Sequence, residues 1–400
     1  MVPRGAVKKG RSCRRVKVRH HQADEVTVME QVRGLVDSTL REGSQTVGVA
    51  FSLEQKVAIA RHLVRIGVEE VEVGVASPLD RELPALVDRC RREAGLSRLG
   101  LWCRCREEDI ACALRLAPEV LSLSVPVSDL HIAIKLNLGR AAVAKMVAKA
   151  IAKAQAAAPY VSLGLEDATR AEPAFLREIV SVACENGVDR IRLADTVGVA
   201  TPGGIAALVR ELRRDFAVEI GVHMHNDFGM ATANAIAALE AGAHWADVTV
   251  LGLGERAGNS RLEEVAGYLA LQGARPYETT LFSDLACLAA DCSGRKIEAH
   301  QPVIGAGIFA CETGLHLAGL AKDPRTYEPY EPILVGARRQ LSYGAKVGRQ
   351  GVAERLRQLG LHCQEAQLGR LADAFRGQCR DLGRPLHDRE VLQLVAQYSS

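Results

Sequence analysis

The sequence has no apolar run near the roughly 20 residues needed to cross a membrane, and no apolar core near its start of the kind that marks a secretory leader. It lacks cysteines at CxxC spacing: its 11 cysteines are scattered, which argues for reduced, mostly buried thiols and a cytoplasmic chain. Cys103 and Cys105 lie two apart, and read as side chains packing near a strand end rather than as a thiolate site. Charge of one sign is scarce, with a net formal charge of only +3. Much of the basic surplus sits between Arg4 and His21, a stretch with few apolar residues and no helical or strand period. Residues 1–32 are therefore expected to be a disordered basic extension. No nucleic-acid or membrane partner is expected.

What remains is ordinary for a large globular chain: 48% apolar and 25% charged residues over 400 positions. From residue 34 to about 255, short β-rich runs alternate with amphipathic helical runs. The strand candidates are 34–39, 68–74, 98–103, 120–127, 160–165, 190–194, 218–225 and 246–251. Helical spacing fills 53–66, 141–158, 174–185, 203–214 and 231–241, and Gly67, Gly187 and Gly242 stand where a helix C-terminus favours glycine. Eight such units predict an α/β fold, a (β/α)8 TIM barrel over residues 33–285. Polar residues cluster at the carboxyl ends of the strands, where such barrels carry their sites. From 286 to 400 the alternation fades into a mostly helical subdomain with a proline-rich interruption at 323–332. That subdomain is expected to cover the barrel mouth, to dimerise, or both.

His223 and His225 end the seventh strand candidate, just before Asn226 and Asp227. Side chains two apart on a strand point the same way, so both imidazoles are available to one divalent metal. An anionic partner is sought at the end of the first strand, in Asp37-Ser-Thr-Leu-Arg41-Glu42-Gly43. Asp37 reads as a structural hydrogen-bonding carboxylate, and Glu42, at the exit beside Gly43, as the better-placed ligand. After the eighth strand come Gly252, Gly254, Gly258 and Asn259. The glycine spacing and position are wrong for a nicotinamide site, but a turn of this kind admits a ligand close to its backbone, with Asn259 in reach. Glu72, Arg104, Arg106, His131, Glu166, Arg170, Asp195 and Thr196 add charges and hydroxyls at other strand ends, a setting for an anionic, oxygen-rich substrate.

Three of these motifs, in order, resemble the signatures of the 2-isopropylmalate synthase and homocitrate synthase family: Asp37-Ser-Thr-Leu-Arg-Glu-Gly with Gln45, His223-x-His225-Asn-Asp, and Gly252-Leu-Gly-Glu-Arg-x-Gly258-Asn259. The resemblance runs from about Gly34 to Tyr327. The stretches Trp102-Cys-Arg104, Pro126-Val-Ser-Asp-Leu-His131 with Lys135-Leu136, Leu163-Gly-Leu-Glu166-Asp-Ala-Thr-Arg170 and Ala194-Asp-Thr-Val-Gly198 look most like the homocitrate synthases of nitrogen-fixing bacteria.

The resemblance implies an acyltransferase that condenses acetyl-CoA with 2-oxoglutarate at a divalent ion (Mg²⁺, Mn²⁺ or Zn²⁺), and a homodimer. It implies Glu42, His223 and His225 as metal ligands, with Asn259 as a nearby or fourth one. Arg41 would add positive charge at the ketone oxygen. Glu166 and, from the C-terminal subdomain, His316 and Tyr327 would join the chemistry. Gln45, Glu72, His131 and Thr196 would orient the substrate, and Arg104 or Arg106 would grip a distal carboxylate. Two stretches depart from the family pattern: Cys311-Glu312 stands where relatives have His-Glu, and Ala345-Lys-Val-Gly348 where they have Lys-His-Ser-Gly. Rival readings are a synthase for 2-isopropylmalate or citramalate, a lyase running the bond cleavage, a non-haem iron oxygenase with the same two-His, one-carboxylate set, and a non-catalytic binding protein.

Overall fold

The computed structural model describes residues 31–398; the basic stretch from Arg4 to His21 lies outside them. Eight parallel strands close on themselves in sequence order, β1 (Gly34–Asp37), β2 (Glu70–Val75), β3 (Leu99–Arg104), β4 (Val120–Pro126), β5 (Val161–Glu166), β6 (Arg190–Asp195), β7 (Glu219–Met224) and β8 (Trp245–Val248). β8 pairs back onto β1, with Gly34 opposite Trp245 and Asp37 opposite Val248. A helix follows each strand: α1 (Leu53–Ile66), α2 (Leu83–Ala94), α3 (Glu107–Arg115), α4 (Arg140–Gln155), α5 (Pro173–Glu185), α6 (Pro202–Asp215), α7 (Ala231–Glu240) and α8 (Leu262–Leu271). The expected (β/α)8 barrel is what the chain forms.

Local chemistry sets the helix limits. Ser52 and Gln55 exchange side-chain and backbone hydrogen bonds in a capping box at the start of α1, and Gly67 ends that helix at φ 92°. Pro173 and Pro202 occupy first turns, behind Glu172 and Thr201 as caps. Val57, Ala60 and Leu63 of α1 then fall on one buried face.

The strands explain why the site sits inside the barrel. In β2, Glu70 and Glu72 alternate with Val71 and Val73; in β6, Arg190 and Arg192 alternate with Ile191 and Leu193. All of them are buried, so the alternation does not separate core from solvent. It separates an apolar outer face under the helices from a charged interior. Inward positions elsewhere are small (Gly100, Ser122, Ser162, Gly164, Gly221), which leaves room for the arginines where most such barrels pack branched apolar side chains.

Helix α9 (Phe282–Ser293) packs its Phe282, Leu285 and Ala289 into the barrel's apolar core, so the expected boundary at 285 falls within it. A second, separate core contains Leu317, Val352, Leu371, Phe375 and Val391. It is built by α10 (Gly314–Lys322), α11 (Arg349–Gln358), α12 (Glu365–Leu382) and α13 (Asp388–Tyr398), with the two-residue parallel strands β9 (Ala310–Cys311) and β10 (Gln340–Leu341). The proline-rich interruption becomes two 3₁₀ turns, Pro324–Thr326 and Pro332–Val335. Among the described residues, no helix is long and apolar enough to cross a membrane.

Candidate metal centre

His223 is the penultimate residue of β7, and His225 follows the strand directly. Their Nε2 atoms stand 3.2 Å apart. Glu42, in the turn after β1, completes a buried group whose ligand atoms all lie within 4.8 Å of one another. The backbone of His225 pairs with that of Asn259, and Asn226 N donates to Gly258 O at 2.9 Å. Gly258 makes this possible: its φ is 88°, and a Cβ there would sit 1.9 Å from the carbonyl oxygen of Gly252. The glycines after β8 thus serve a close backbone approach within the loop itself.

Four buried polar atoms at this point have no hydrogen-bond partner: Glu42 Oε1, His225 Nδ1, Asn259 Oδ1 and Asp247 Oδ1. Buried orphans are costly, and three of these four belong to the expected ligand residues. Burial pushes the His225 imidazole down to about 3, with His223 adding to the effect. Burial opposes the charge of Glu42, but Arg41 and the two imidazoles hold its carboxyl below the ordinary range. Two imidazoles, that of His225 neutral, beside an ionised carboxylate form a donor set that fits a divalent cation.

Behind the donors a circuit of buried charge runs from His223 round to Glu42. His223 Nδ1 meets Asp247 Oδ2 at 2.9 Å. Asp247 pairs with Arg192 at 3.0 Å, and Arg192 with Glu72 at 3.0 Å. Glu72 accepts from Arg41 Nε at 2.6 Å, and Arg41 Nη1 returns to Glu42. Burial would raise Glu72, but Arg192 and Arg41 hold it far down. The circuit fixes the His223 ring and clamps Arg41 beside Glu42, the kind of outer support that orients metal ligands.

The donors open onto a cavity of about 250 Å³. Arg41, Gln45, Glu166 and Thr196 line it, and so do Trp102, Ser124, Lys135 and Arg192, for which the sequence suggested no role. The structure reassigns several other residues. Glu72 is fully buried, with its oxygens taken by Ser38, Arg41 and Arg192, and does not reach the cavity. His131 stands behind Glu166, Nδ1 to Oε1 2.7 Å. Arg104 is held by both oxygens of Asp109 (2.6 and 3.1 Å), and lines only an adjoining cavity of about 380 Å³, as does exposed Arg106. Asp37 is structural, accepting from Thr39 N and Oγ1 at 2.9 and 3.0 Å. Asp195 caps its own loop through Val199 N and Ala200 N, and Arg170 is held by Asp167. His316 and Tyr327 stack on each other, ring centroids 4.1 Å apart, both exposed in the C-terminal subdomain and neither lining the cavity.

Residues 33–288 match the HMGL-like family model, and residues 303–382 match the homocitrate synthase post-HMGL domain-like model. The chain belongs to the HMGL-like family. Relatives in this family include a homocitrate synthase of Frankia alni, 40% identical over 81% of this chain and 93% of its own length. Homocitrate synthase 1 of a Nostoc strain is 37% identical over 90% of this chain and 96% of its own. A 2-isopropylmalate synthase 2 of Caldanaerobacter subterraneus is 36% identical over 90% and 94%. The chain is an acyltransferase of this family. Its barrel also superposes on the HMG-CoA lyase of Brucella melitensis, with a TM-score of 0.59 at 17% identity over 66% of this chain and 99% of that one, a likeness of fold alone.

The members of the site that sequence reasoning missed carried a faint signal. Asp247 is the single charge of β8, and Arg192 is one of two arginines that alternate with apolar residues in β6. Trp102 and Lys135 lie within the stretches that resemble the family but have no role in its motifs.

Proposed function

We propose that the chain is a homocitrate synthase that joins acetyl-CoA to 2-oxoglutarate and hydrolyses the thioester, releasing homocitrate and CoA. The supporting observation is the convergence of three buried ligand atoms and the clamped Arg41 on one cavity at the carboxyl end of the barrel, with the orphaned Asn259 Oδ1 on the residue that pairs with His225. Glu42, His223 and His225 would hold the divalent ion, with Asn259 as a further oxygen donor. Bound there, the ion would supply Lewis acidity toward the ketone of the oxo acid.

The chain's own residues do the rest. Arg41, kept charged by Glu72 and Glu42 despite its burial, stabilises the negative charge that develops on the ketone oxygen. Gln45, Ser124 and Thr196 orient the oxo acid through hydrogen bonds. A base takes a proton from the acetyl methyl group, the resulting carbanion forms the new bond to the ketone carbon, and the ketone oxygen gains a proton. Water then cleaves the thioester, and the CoA thiol leaves.

His316 and Tyr327 are the candidates for that proton transfer, and a second copy of the chain is their route to the cavity. The surfaces involved are apolar and open: Leu79, Ile134 and Phe228 on the mouth loops are 89%, 77% and 72% exposed, and Leu315 beside His316 is 73% exposed. A homodimer that covers both accounts for them. Mixing inactive Glu42→Ala and His316→Ala chains would then restore activity that neither has alone.

A thiol-release assay across oxo acids with added Mg²⁺, Mn²⁺ or Zn²⁺ tests the whole reading. Fastest turnover with 2-oxoglutarate is expected. Fastest turnover with 2-oxoisovalerate or pyruvate would instead support the 2-isopropylmalate or citramalate reading, which the similar identity to a 2-isopropylmalate synthase keeps in view.

A further inference from the structure

The cavity at the metal donors contains three cations, and two of them are already committed. Arg41 is bound by Glu42 and Glu72, and Arg192 by Glu72 and Asp247. Both arginines are buried in the circuit that supports the donors. Lys135 is the third. Its ammonium meets a single carboxylate, Glu166, and its side chain is 51% exposed.

Lys135 sits on the π-helical turn Ile132–Leu136, which ends at Asn137 with φ 52°. A π turn inserts a residue into the helical path, and such turns recur at functional sites. Here the turn brings Lys135 to the junction of two cavities. Lys135, Trp102, Ser124 and Glu166 line both the chamber at the donors and the adjoining 380 Å³ chamber that holds Arg104 and Arg106. Glu166 has a second hydrogen-bonding neighbour in His131 Nδ1 at 2.7 Å, so it stays paired if Lys135 turns to another anion.

We infer that Lys135 is the residue that selects a dicarboxylic 2-oxo acid: its ammonium takes the distal carboxylate while the oxo-carboxylate end faces Glu42, His223 and His225. The inference rests on the 2-oxoglutarate reading above, and replaces the expected grip by Arg104 or Arg106. Trp102 forms the apolar wall along the substrate's methylene groups, with the Arg41 guanidinium 5.7 Å from its ring centroid.

The test compares 2-oxoglutarate with 2-oxobutyrate, which has the same oxo-carboxylate end and no distal charge. Dissociation constants are measured by calorimetry on the Mn²⁺-loaded protein, wild type and Lys135→Met. Losing one charge-assisted hydrogen bond predicts about 10- to 100-fold weaker 2-oxoglutarate binding, with 2-oxobutyrate changed by less than about twofold, a limit that also reports an intact fold. Lys135→Arg should keep the preference for 2-oxoglutarate. Equal weakening of both acids, or an unchanged preference in Lys135→Met, overturns the assignment and leaves the synthase reading standing. A wild type that does not prefer 2-oxoglutarate overturns both.

Discussion

The barrel holds the same ion pair twice. Glu70 with Arg190, at the amino ends of β2 and β6, is repeated two residues further on as Glu72 with Arg192. The lower pair is closed off. Glu70 takes Arg190 at 2.7 and 3.1 Å and Arg98 at 3.0 Å. The Arg190 guanidinium lies 5.4 and 5.0 Å from the Tyr160 and Trp245 rings, whose polar tips both donate to Glu219. The upper pair is open, running through Asp247 and Arg41 into donors with unpartnered atoms and a cavity. Buried ion pairs alone therefore do not mark a site. A cluster of orphaned atoms on residues that can hold a cation does; the lower pair leaves one orphaned atom, Arg98 Nη2, with no donor set beside it among the described residues.

The largest expected effect lies in the upper layer. His225→Ala should lower turnover by about 10³-fold or more, the scale of losing several kcal/mol of charge stabilisation. The stability of the metal-free protein should hold or rise, since orphaned polar atoms disappear. Steady-state kinetics with a chaotrope melt of the same sample checks both halves. In the lower layer the pattern inverts. Glu70→Gln strands two arginines, and should cost about 3–5 kcal/mol of stability, read from the same melt, with the Kd for metal unchanged. A loss of metal affinity there would erase the distinction between the layers.

Smaller effects sharpen it. Asp247→Asn removes the carboxylate behind His223 and should weaken metal binding by about 10- to 100-fold, measured by calorimetry. Asp37 lies beside the upper layer but has its partners. Burial pushes its carboxyl up to about 7 from 3.8, the bonds from Thr39 only partly opposing this. The folded state therefore holds this proton more tightly than the unfolded chain does. Its contribution falls as pH rises from about 4 and levels off above about 7, a slope worth up to a few kcal/mol at 1.36 kcal/mol per unit. Asp37→Asn should flatten that slope in melts between pH 5 and 8, and an unchanged slope would place the titration elsewhere.

Much of this was legible in the sequence. All eight strands and the five helical runs were found to within a few residues, because strand alternation and glycines such as Gly67 mark the units locally. His223 and His225 were legible because they stand at the end of β7; Glu42, in the turn beyond β1, was favoured over Asp37 by the family resemblance. The circuit behind them was not. Arg192 and Asp247 gain meaning only when the barrel closes and sets β6, β8 and β2 around one axis. The same closure separated Arg104, taken by nearby Asp109, from Lys135, which a π turn carries to the cavity. His316 and Tyr327 stack on each other in the C-terminal subdomain and do not line the cavity, a placement that no local pattern encodes.

The central claim is that the upper layer is built for an ion and the lower for the fold. Calorimetric titration of Mn²⁺ into chelator-treated protein tests it on three samples: wild type, His223→Ala and Glu70→Gln. The account predicts one ion per chain for wild type and Glu70→Gln, and loss of that binding in His223→Ala. Undiminished binding in His223→Ala would contradict it.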